Sequence, residues 1–496
     1  MRKNAVIMAA GIGKRFVPIS LEKPKGLLKV RGEILIERQI EQLRDADVEE
    51  IIIVVGYKAE EFKYLQEKYD GIILIKNEDY LTKNNSHSLY LARKYLDNTY
   101  ICSADDYFAW NPFLDNETES YYAAVHVEQK TDEWYMIPDE NGCIADVEKT
   151  GEAGEIMLGH AFWDSDFSRA FVKILEEGEN AGKYDELLWE WVMKENLAKL
   201  PKMKIRTYPK DVIFEFDSLS ELREFDSEYI NHSGCKILEN IAEYFAVKEG
   251  EISDFTAIDA GLTNRSFAFS VKDNRYVYRH PGDGTEKIIS RKHEKKALEL
   301  AKKIGVDPTY VTMDDEEGWK ISEYVSGIRV PDYSNFEDSK RVVKVLRDLH
   351  EKNLLVDWEF LPWEEAEKIE KMLDKKLLDE EFYQLKNKVE KGVKSCTGDG
   401  VERRFCHCDT YAPNWMLTSE QTILIDWEYA GNADPGCDIG TYIMDSMWEI
   451  PEAESFIREY CQEDYETSLD KFMNIILEHL LNIFLQRVVN SLPLNQ

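Results

Sequence analysis

Between residues 5 and 105 the chain alternates short apolar runs with amphipathic segments, and this alternation restricts the fold more than any other feature. "AVIMAA" (5–10), "EIIIVVG" (50–56), "IILI" (72–75) and "YICSAD" (100–105) have the length of strands and little polar alternation. Between them lie "ILIERQIEQLRDA" (34–46), with Ile36, Ile40 and Leu43 on one helical face, and helical segments at 60–69 and 88–96. A strand apolar on both faces must be covered on both faces, so a mainly parallel sheet sandwiched by helices is expected. Ligands of such sheets sit at the carboxyl ends of the strands.

The pattern changes after about residue 225. "SEYINHSG" (227–234) is polar and has no apolar period, which predicts a linker at 231–237 between a first domain, 1–230, and a second, 238–496. The second begins with alternating segments that read as antiparallel strands and continues, from about 338, as mostly helix. A small β-rich lobe before a larger α-rich lobe is the bilobal layout of protein-kinase-like folds. The fold class expected is therefore α/β, a Rossmann-like domain followed by a kinase-like one. A net charge of −34 argues against nucleic-acid binding, which needs a basic surface. Eight irregularly spaced cysteines predict reduced thiols in the cytoplasm. The N-terminus lacks a signal-peptide pattern, and no stretch approaches the roughly 20 apolar residues of a membrane span. A soluble protein without membrane insertion is expected; nothing in the chain supports an oligomer.

"FCHCDTYA" (405–412) first suggests zinc, since Cys406, His407, Cys408 and Asp409 are all potential ligands. Tetrahedral zinc sites draw on separated pairs, however, and here the four are consecutive. The residues downstream give another reading. Asn414 lies five positions after Asp409, and the apolar run "ILIDWEY" then ends in Asp426. Phosphoryl transfer to an alcohol needs a base, here Asp409, with an Asn and an Asp, here Asn414 and Asp426, to hold Mg²⁺ on the nucleotide phosphates. His407 would orient the loop, and Cys406 and Cys408 would pack.

Through this spacing, residues 237–490 resemble the choline/ethanolamine kinase and aminoglycoside phosphotransferase family. The resemblance implies ATP as co-substrate, a phosphate loop at "AGLTNRS" with Gly261, Thr263 and Asn264, and Arg279 reaching the phosphates. It further implies Glu294 as the helix partner of Arg279 and an adenine hinge at 321–327 containing Glu323. The segment 426–448 is more similar to choline kinases than to the aminoglycoside enzymes, which makes Glu428, Tyr429, Asp445 and Trp448 candidates for holding a quaternary ammonium by carboxylates and aromatic faces. The tryptophan pair near the C-terminus of eukaryotic choline kinases is missing, leaving Tyr411, Trp415 or Trp358 to complete the pocket, or a pocket suited to a less methylated amine.

The first strand leads into "MAAGIGKRFVPISLEKPKGLLKV". Phe16 stands where a dinucleotide loop would have its third glycine. Instead Ala10, Gly11 and Gly13 let backbone approach a triphosphate, while Lys14, Arg15 and Lys25 supply positive charge. The G-x-G-x-R-x-x-P…P-K pattern resembles the sugar-phosphate nucleotidyltransferase superfamily, and within it the bacterial phosphocholine cytidylyltransferases, over about residues 1–228. The resemblance implies CTP, and Mg²⁺ held by Asp105 and Asp217, with Asp106 as the alternative to Asp105. It also implies base contacts at Asn85 and Ser88; the alternative for these two is helix capping. Tyr107, Trp134, Trp163, Asp185 and Trp189 are the candidates for the amine head group.

A phosphomonoester is already nucleophilic at neutral pH, so this half needs no conspicuous general base. The expected sequence is choline and ATP to phosphocholine, then phosphocholine and CTP to CDP-choline and pyrophosphate. Ethanolamine, an aminophosphonate, a sugar phosphate with an unrelated kinase, or one non-catalytic half are the rival readings.

Overall fold

The computed structural model describes residues 3–131, 133–258, 264–282, 284–371, 380–396 and 401–462. The chain divides into two compact units, Met1–Ala257 and Ile258–Gln496. Gly261 and Thr263 lie outside the described residues, as does most of the C-terminal segment.

In the first unit a nine-stranded sheet has Asn4–Ala9 near its centre, flanked by Glu50–Val55 and Thr99–Ser103, with Ile72–Lys76 beyond Glu50–Val55. These four strands are parallel, in registers such as Ala5↔Ile51, Val6↔Ile101 and Ile53↔Leu74. Gly154–Trp163 runs antiparallel beside Thr99–Ser103 and begins the second flank. The period-2 geometry of a strand separates the two cores. Ala5, Ile7, Ile51 and Ile53 pack on one face with Ile36, Ile40 and Leu43 of the helix Leu35–Asp45. Val6, Ile52 and Val54 pack on the other with Leu89, Trp163 and Phe171. The fold is α/β with a mainly parallel central sheet.

The expected linker and the division between units do not coincide. Asn231 ends the helix Glu228–Asn231 and Lys236 begins the next helix; between them the Ser233 hydroxyl and N–H donate to Glu249 Oε2 at 2.6 and 3.1 Å. The N–H groups of Lys236 and Ile237 donate to the Glu22 carboxylate at 2.9 and 2.7 Å, which caps the helix Lys236–Phe245. The polar composition of this stretch reflects capping, and the division falls at Ala257/Ile258.

The second unit is kinase-like. Arg265–Val271, Asn274–His280, Lys320–Glu323 and Tyr310–Met313 form consecutive antiparallel neighbours. The helix Arg291–Ile304 follows the hairpin, and the helices Phe336–His350, Gly436–Ser446 and Ile450–Cys461 contribute to a core containing Leu346, Trp427 and Tyr442. Two short ribbons, Arg404–Cys406 with Gly431–Ala433 and Trp415–Leu417 with Thr422–Leu424, bracket residues 407–414. Among the described residues no helix is long and apolar enough to cross a membrane.

Candidate active sites

At the carboxyl end of Asn4–Ala9 the chain turns through Gly13, whose φ of 68° lies in the left-handed region that favours glycine. A second close approach occurs at Gly26, where a Cβ would stand 2.8 Å from Ala104 Cβ. The missing side chain seats Lys25 against the end of the strand Thr99–Ser103, directly before Asp105. Asp106–Phe108 then pairs antiparallel with Ile213–Glu215, setting Asp106 opposite Glu215 and bringing Asp217 to the same point. Lys25 Nζ lies 3.2 Å from Asp105 Oδ2 and 3.5 Å from Asp217 Oδ1. Arg15 Nη1 lies 2.7 Å from the other oxygen of Asp217.

Burial alone would lower the Lys25 pKa, but Asp105, Asp217 and Glu215 hold it above its ordinary value. Asp106 moves the other way: burial, then the charges of Glu215 and Asp105, push its carboxyl well up, and its Oδ2 is buried without a partner. Glu215 is raised by its removal from bulk water in the cleft and then by Asp105 and Asp217, although its outer edge remains exposed and solvent screens part of this effect. The donor set suits a divalent cation. Asp105 and Asp217 already converge on one ammonium, and carboxylate oxygens are the hard ligands Mg²⁺ takes.

A cavity of about 490 Å³ opens from this point. Ala10, Gly11, Gly13, Lys14, Lys25 and Asp105 line it, as do Asn85 and Ser88. The residue capping the helix Asn85–Ala92 is Asn84. Asn85 Oδ1 accepts from the Trp189 N–H at 2.7 Å, and Ser88 Oγ accepts from Asn77 Nδ2 at 3.2 Å. Tyr80, Lys83 and Glu186 also line the cavity; sequence reasoning missed them, and only the nearness of "NNS" to Lys83 could have pointed there. Lys83 is held by Glu179 at 2.7 Å and by Asp185 at 3.3 Å, so the Asp185 carboxylate is paired with a lysine.

Three of the aromatic candidates are placed differently from expectation. Trp163 and Trp189 are core residues, fully and almost fully buried, with ring centres 5.1 Å apart. Trp189 also stacks on Tyr122. They fill volume between helices and sheet, the usual fate of large apolar rings. Tyr107 is buried beneath the Arg38 guanidinium, 4.8 Å from its ring centre. Trp134 is only partly buried and meets Trp191 edge-on at 5.4 Å. Lys149 Nζ lies 5.5 Å from the Trp134 ring centre and 5.0 Å from that of Trp191. Trp191 was missed, although the "WEW" triplet contains it.

In the second unit Asp438 organises the loop around Asp409. The N–H groups of His407 and Cys408 donate to its two carboxylate oxygens at 3.0 and 2.6 Å. His407 Nδ1 accepts from the Asp409 N–H at 3.2 Å, which leaves Nε2 to donate to the Ile425 carbonyl at 2.8 Å. Both ring nitrogens are therefore engaged, and burial lowers the His407 pKa. Cys406 and Cys408 are buried free thiols. The four consecutive residues that suggested zinc do not converge on one point; the "HCD" segment is a braced loop. Asp438 carried no sequence signal of its own.

Asn414 Nδ2 donates to the Asp409 carbonyl at 2.8 Å and to its carboxylate at 3.0 Å. Burial first, then the charges of Asp426 and Glu428, raise the Asp409 pKa well above the carboxylate range. Asp426, at a left-handed φ of 68°, has an oxygen 3.4 Å from Arg279 Nη1. Arg279 pairs bidentately with the fully buried Glu294, at 2.5 and 3.1 Å. Oxygens of Glu294, Asp426 and Glu428 lie within 4.8 Å of one another, a set that also suits a divalent cation.

These groups border a cavity of about 550 Å³. Asn264, Arg279, Glu323, Asp409, Asn414 and Asp426 line it, together with Glu428, Tyr429 and Tyr411. Asp445 and Trp448 do not line it. Asp445 accepts from the Tyr333 hydroxyl and, at 2.8 Å, from the Ala412 N–H, bracing the loop. Trp448 donates from Nε1 to the Tyr333 carbonyl at 3.1 Å and packs on Phe456. Trp448 packs on the helical core, while Asp445 is held between Tyr333 and Ala412, close enough for its charge to act on Asp409.

Residues 5–158 match the MobA-like NTP transferase domain, and residues 254–470 the phosphotransferase enzyme family, APH. Over 223 residues the chain is 35% identical to a choline-phosphate cytidylyltransferase of Streptococcus pneumoniae, covering 45% of this chain and 96% of that one. Over 232 residues it is 33% identical to a 2-aminoethylphosphonate cytidylyltransferase of Lancefieldella rimae, covering 46% and 94%. The crystal structure of choline kinase LicA from Streptococcus pneumoniae aligns with 26% identity over 52% of this chain and 89% of that one, at a TM-score of 0.46.

Proposed function

Since the chain belongs in its N-terminal half to the nucleotidyltransferases that include choline-phosphate cytidylyltransferase, and in its C-terminal half to the phosphotransferase enzyme family, we propose that it converts choline to CDP-choline in two steps. The C-terminal unit transfers phosphate from ATP to the choline hydroxyl. The N-terminal unit transfers a cytidylyl group from CTP to phosphocholine and releases pyrophosphate. One observation carries the reading: Lys25 Nζ sits between Asp105 and Asp217 beside the glycine turn, so a cation and two carboxylates meet where the phosphates of a nucleotide would lie.

In the first step Asp409 accepts the hydroxyl proton. Its raised pKa makes it a stronger base than an exposed aspartate, and Asn414 fixes its orientation. In the second step no base is needed. Lys25, Lys14 and Arg15 offset the charge of two approaching anions and of the pyrophosphate that leaves. Mg²⁺ held by Asp105 and Asp217, and by Asn414 and Asp426, would supply further neutralisation of phosphate charge in each unit. For the amine head group, the partly open Trp134–Trp191 corner supports cation recognition, because Lys149 already rests against both rings. In the other unit Tyr429, Tyr411 and Glu428 offer aromatic faces and a carboxylate.

The similarity to a 2-aminoethylphosphonate cytidylyltransferase favours a second reading, in which the cytidylyl acceptor is a phosphonate and the kinase acts on another small alcohol. Phosphorus NMR with Mg²⁺, ATP, CTP and choline separates them. The expected result is a phosphomonoester signal followed by a diphosphate diester. Conversion of added 2-aminoethylphosphonate, with choline untouched, would replace the first reading by the second.

A further inference from the structure

The sequence offers Trp358 to an ammonium pocket, and the structure gives it a different place. It does not border the cavity that holds Asp409 and Asp426, although its neighbour Phe360 does. Its ring lies face to face on the imidazole of His293, with centres 4.5 Å apart and planes 8° from parallel. His293 directly precedes Glu294 in the helix Arg291–Ile304, so the stack grips that helix beside the carboxylate that pairs with Arg279. Further along the same helix, Lys296 bonds to the two oxygens of Asp357 at 3.2 and 3.0 Å and sets its ammonium 5.6 Å from the Trp358 ring centre.

The rest of Trp358 is fastened to the larger lobe. Its Nε1 donates to the Ala430 carbonyl at 2.7 Å, shortly after Asp426 in the chain. Its carbonyl accepts from the Asn432 N–H at 3.2 Å, and the Asn432 amide bonds to the carbonyl and N–H of Val356 at 2.8 and 2.9 Å. Asn432 belongs to the strand Gly431–Ala433, whose antiparallel partner Arg404–Cys406 leads directly into the Asp409 loop. Trp358 therefore meets the helix that carries Glu294 on one side and the ribbon that carries the loop on the other. An indole engaged through both its face and its N–H is a rigid spacer.

That spacing bears on Arg279. Glu294 takes both terminal nitrogens of the guanidinium and leaves Nε–H without a partner, so where the helix stands decides how Arg279 is presented to the phosphates. We propose that Trp358 is a positioning residue for phosphoryl transfer and no part of the ammonium pocket. Through His293 it sets the helix Arg291–Ile304 at the distance from the Asp409 ribbon at which Arg279 and Asp426 serve the same phosphates. This rests on the reading of that unit as an ATP-dependent kinase.

The test uses the full chain with Trp358→Ala, Trp358→Phe, His293→Ala and the Trp358→Ala, His293→Ala double variant. It measures kcat and the KM values for ATP and choline, with the unfolding midpoint alongside. Misplacement by about 1 Å from a change remote from the chemistry costs up to about 100-fold. Trp358→Ala is expected to lower kcat about 10- to 100-fold and His293→Ala about tenfold, both with the KM for choline unchanged. The double variant should be no slower than Trp358→Ala, since both changes remove one stack. Trp358→Phe keeps a ring face for His293 and should recover most of the rate. His293 is only half-buried, so its variant keeps the test decisive even if Trp358→Ala does not fold. A choline KM raised by Trp358→Ala would return the residue to the ammonium pocket. An unaltered rate for His293→Ala, or losses that multiply in the double variant, would reduce Trp358 to support of its own lobe. Either result overturns the proposal. If the unaltered chain transfers no phosphate from ATP to choline, the kinase reading itself fails and the role of Trp358 with it.

Discussion

Lys25 Nζ and Asp105 Oδ2 stand 3.2 Å apart, and 15% of the lysine side chain remains exposed. Removing Lys25 leaves Asp105, Asp217 and Glu215 facing one another with only Arg15, on Asp217, as counter-charge, and takes away the ammonium proposed to meet the triphosphate. Lys25→Ala is expected to lower CTP-dependent pyrophosphate release by about 10²- to 10³-fold, the usual loss when one preorganised electrostatic group is deleted. Choline phosphorylation in the same preparation is expected to be unchanged, and a pyrophosphate assay beside an ADP assay checks both.

Gly26→Ala tests the packing beneath that lysine. Its Cβ would meet Ala104 Cβ at 2.8 Å, so either the loop carrying Lys25 or the end of Thr99–Ser103 must move. Overpacking of this kind costs about 1–3 kcal/mol. The expected outcome is a lower unfolding midpoint of the first unit together with a loss of cytidylyl transfer of at least about tenfold, because displacements near 1 Å are expensive at such sites. Full activity would show that the loop position is not critical.

Asp409→Asn removes the proposed proton acceptor while keeping its shape and an oxygen for the bond from Asn414. Choline phosphorylation is expected to fall by about 10²- to 10⁴-fold in kcat with little change in the KM for ATP. The pH profile follows from the same residue. Because the folded Asp409 has a raised pKa, it is protonated and inactive at acidity where an exposed aspartate would still be ionised. The kinase rate should therefore rise with pH through an apparent pKa above the ordinary 3.8. A rate already flat from the ordinary aspartate range upward would contradict this assignment.

His160 gives a stability prediction away from both sites. It is fully buried among Tyr100, Phe108, Phe113 and Tyr121, and burial, then Arg206, lowers its pKa to about 3. The unfolded chain binds a proton below about pH 6.5 that the folded chain refuses. The stability from this neutral histidine is complete above that pH and is lost as pH falls toward 3, at up to about 1.4 kcal/mol per pH unit. Urea unfolding of the first unit between pH 7 and 4 should show this slope, and His160→Gln should flatten it.

Much of both sites was legible because their chemistry is local in sequence. The turn 10–14 with Lys25, and Asp409, Tyr411 and Asn414 with Asp426, place several candidate groups within short stretches, and all of these border the two cavities. The aromatic candidates were less legible. Trp163 and Trp189 share the residue type of a cage, but only packing reveals that their faces are spent on Phe171 and Tyr122. Asp445 is likewise spent on the Ala412 N–H, and Trp448 on the Tyr333 carbonyl. Gly261 and Thr263 lie outside the described residues.

The sequence by itself determined the two-unit α/β and kinase-like plan, since strand and helix periodicities are short-range properties that any chain with those apolar positions must satisfy. It also determined which groups are available for chemistry. Only the tertiary structure decided which of them meet. Asp105 and Asp217 are brought together by the Asp106↔Glu215 register, and Asp438 reaches back to the amides of His407 and Cys408. Such pairings depend on where distant segments close on one another, and no local pattern encodes the distance between two charges far apart in the chain.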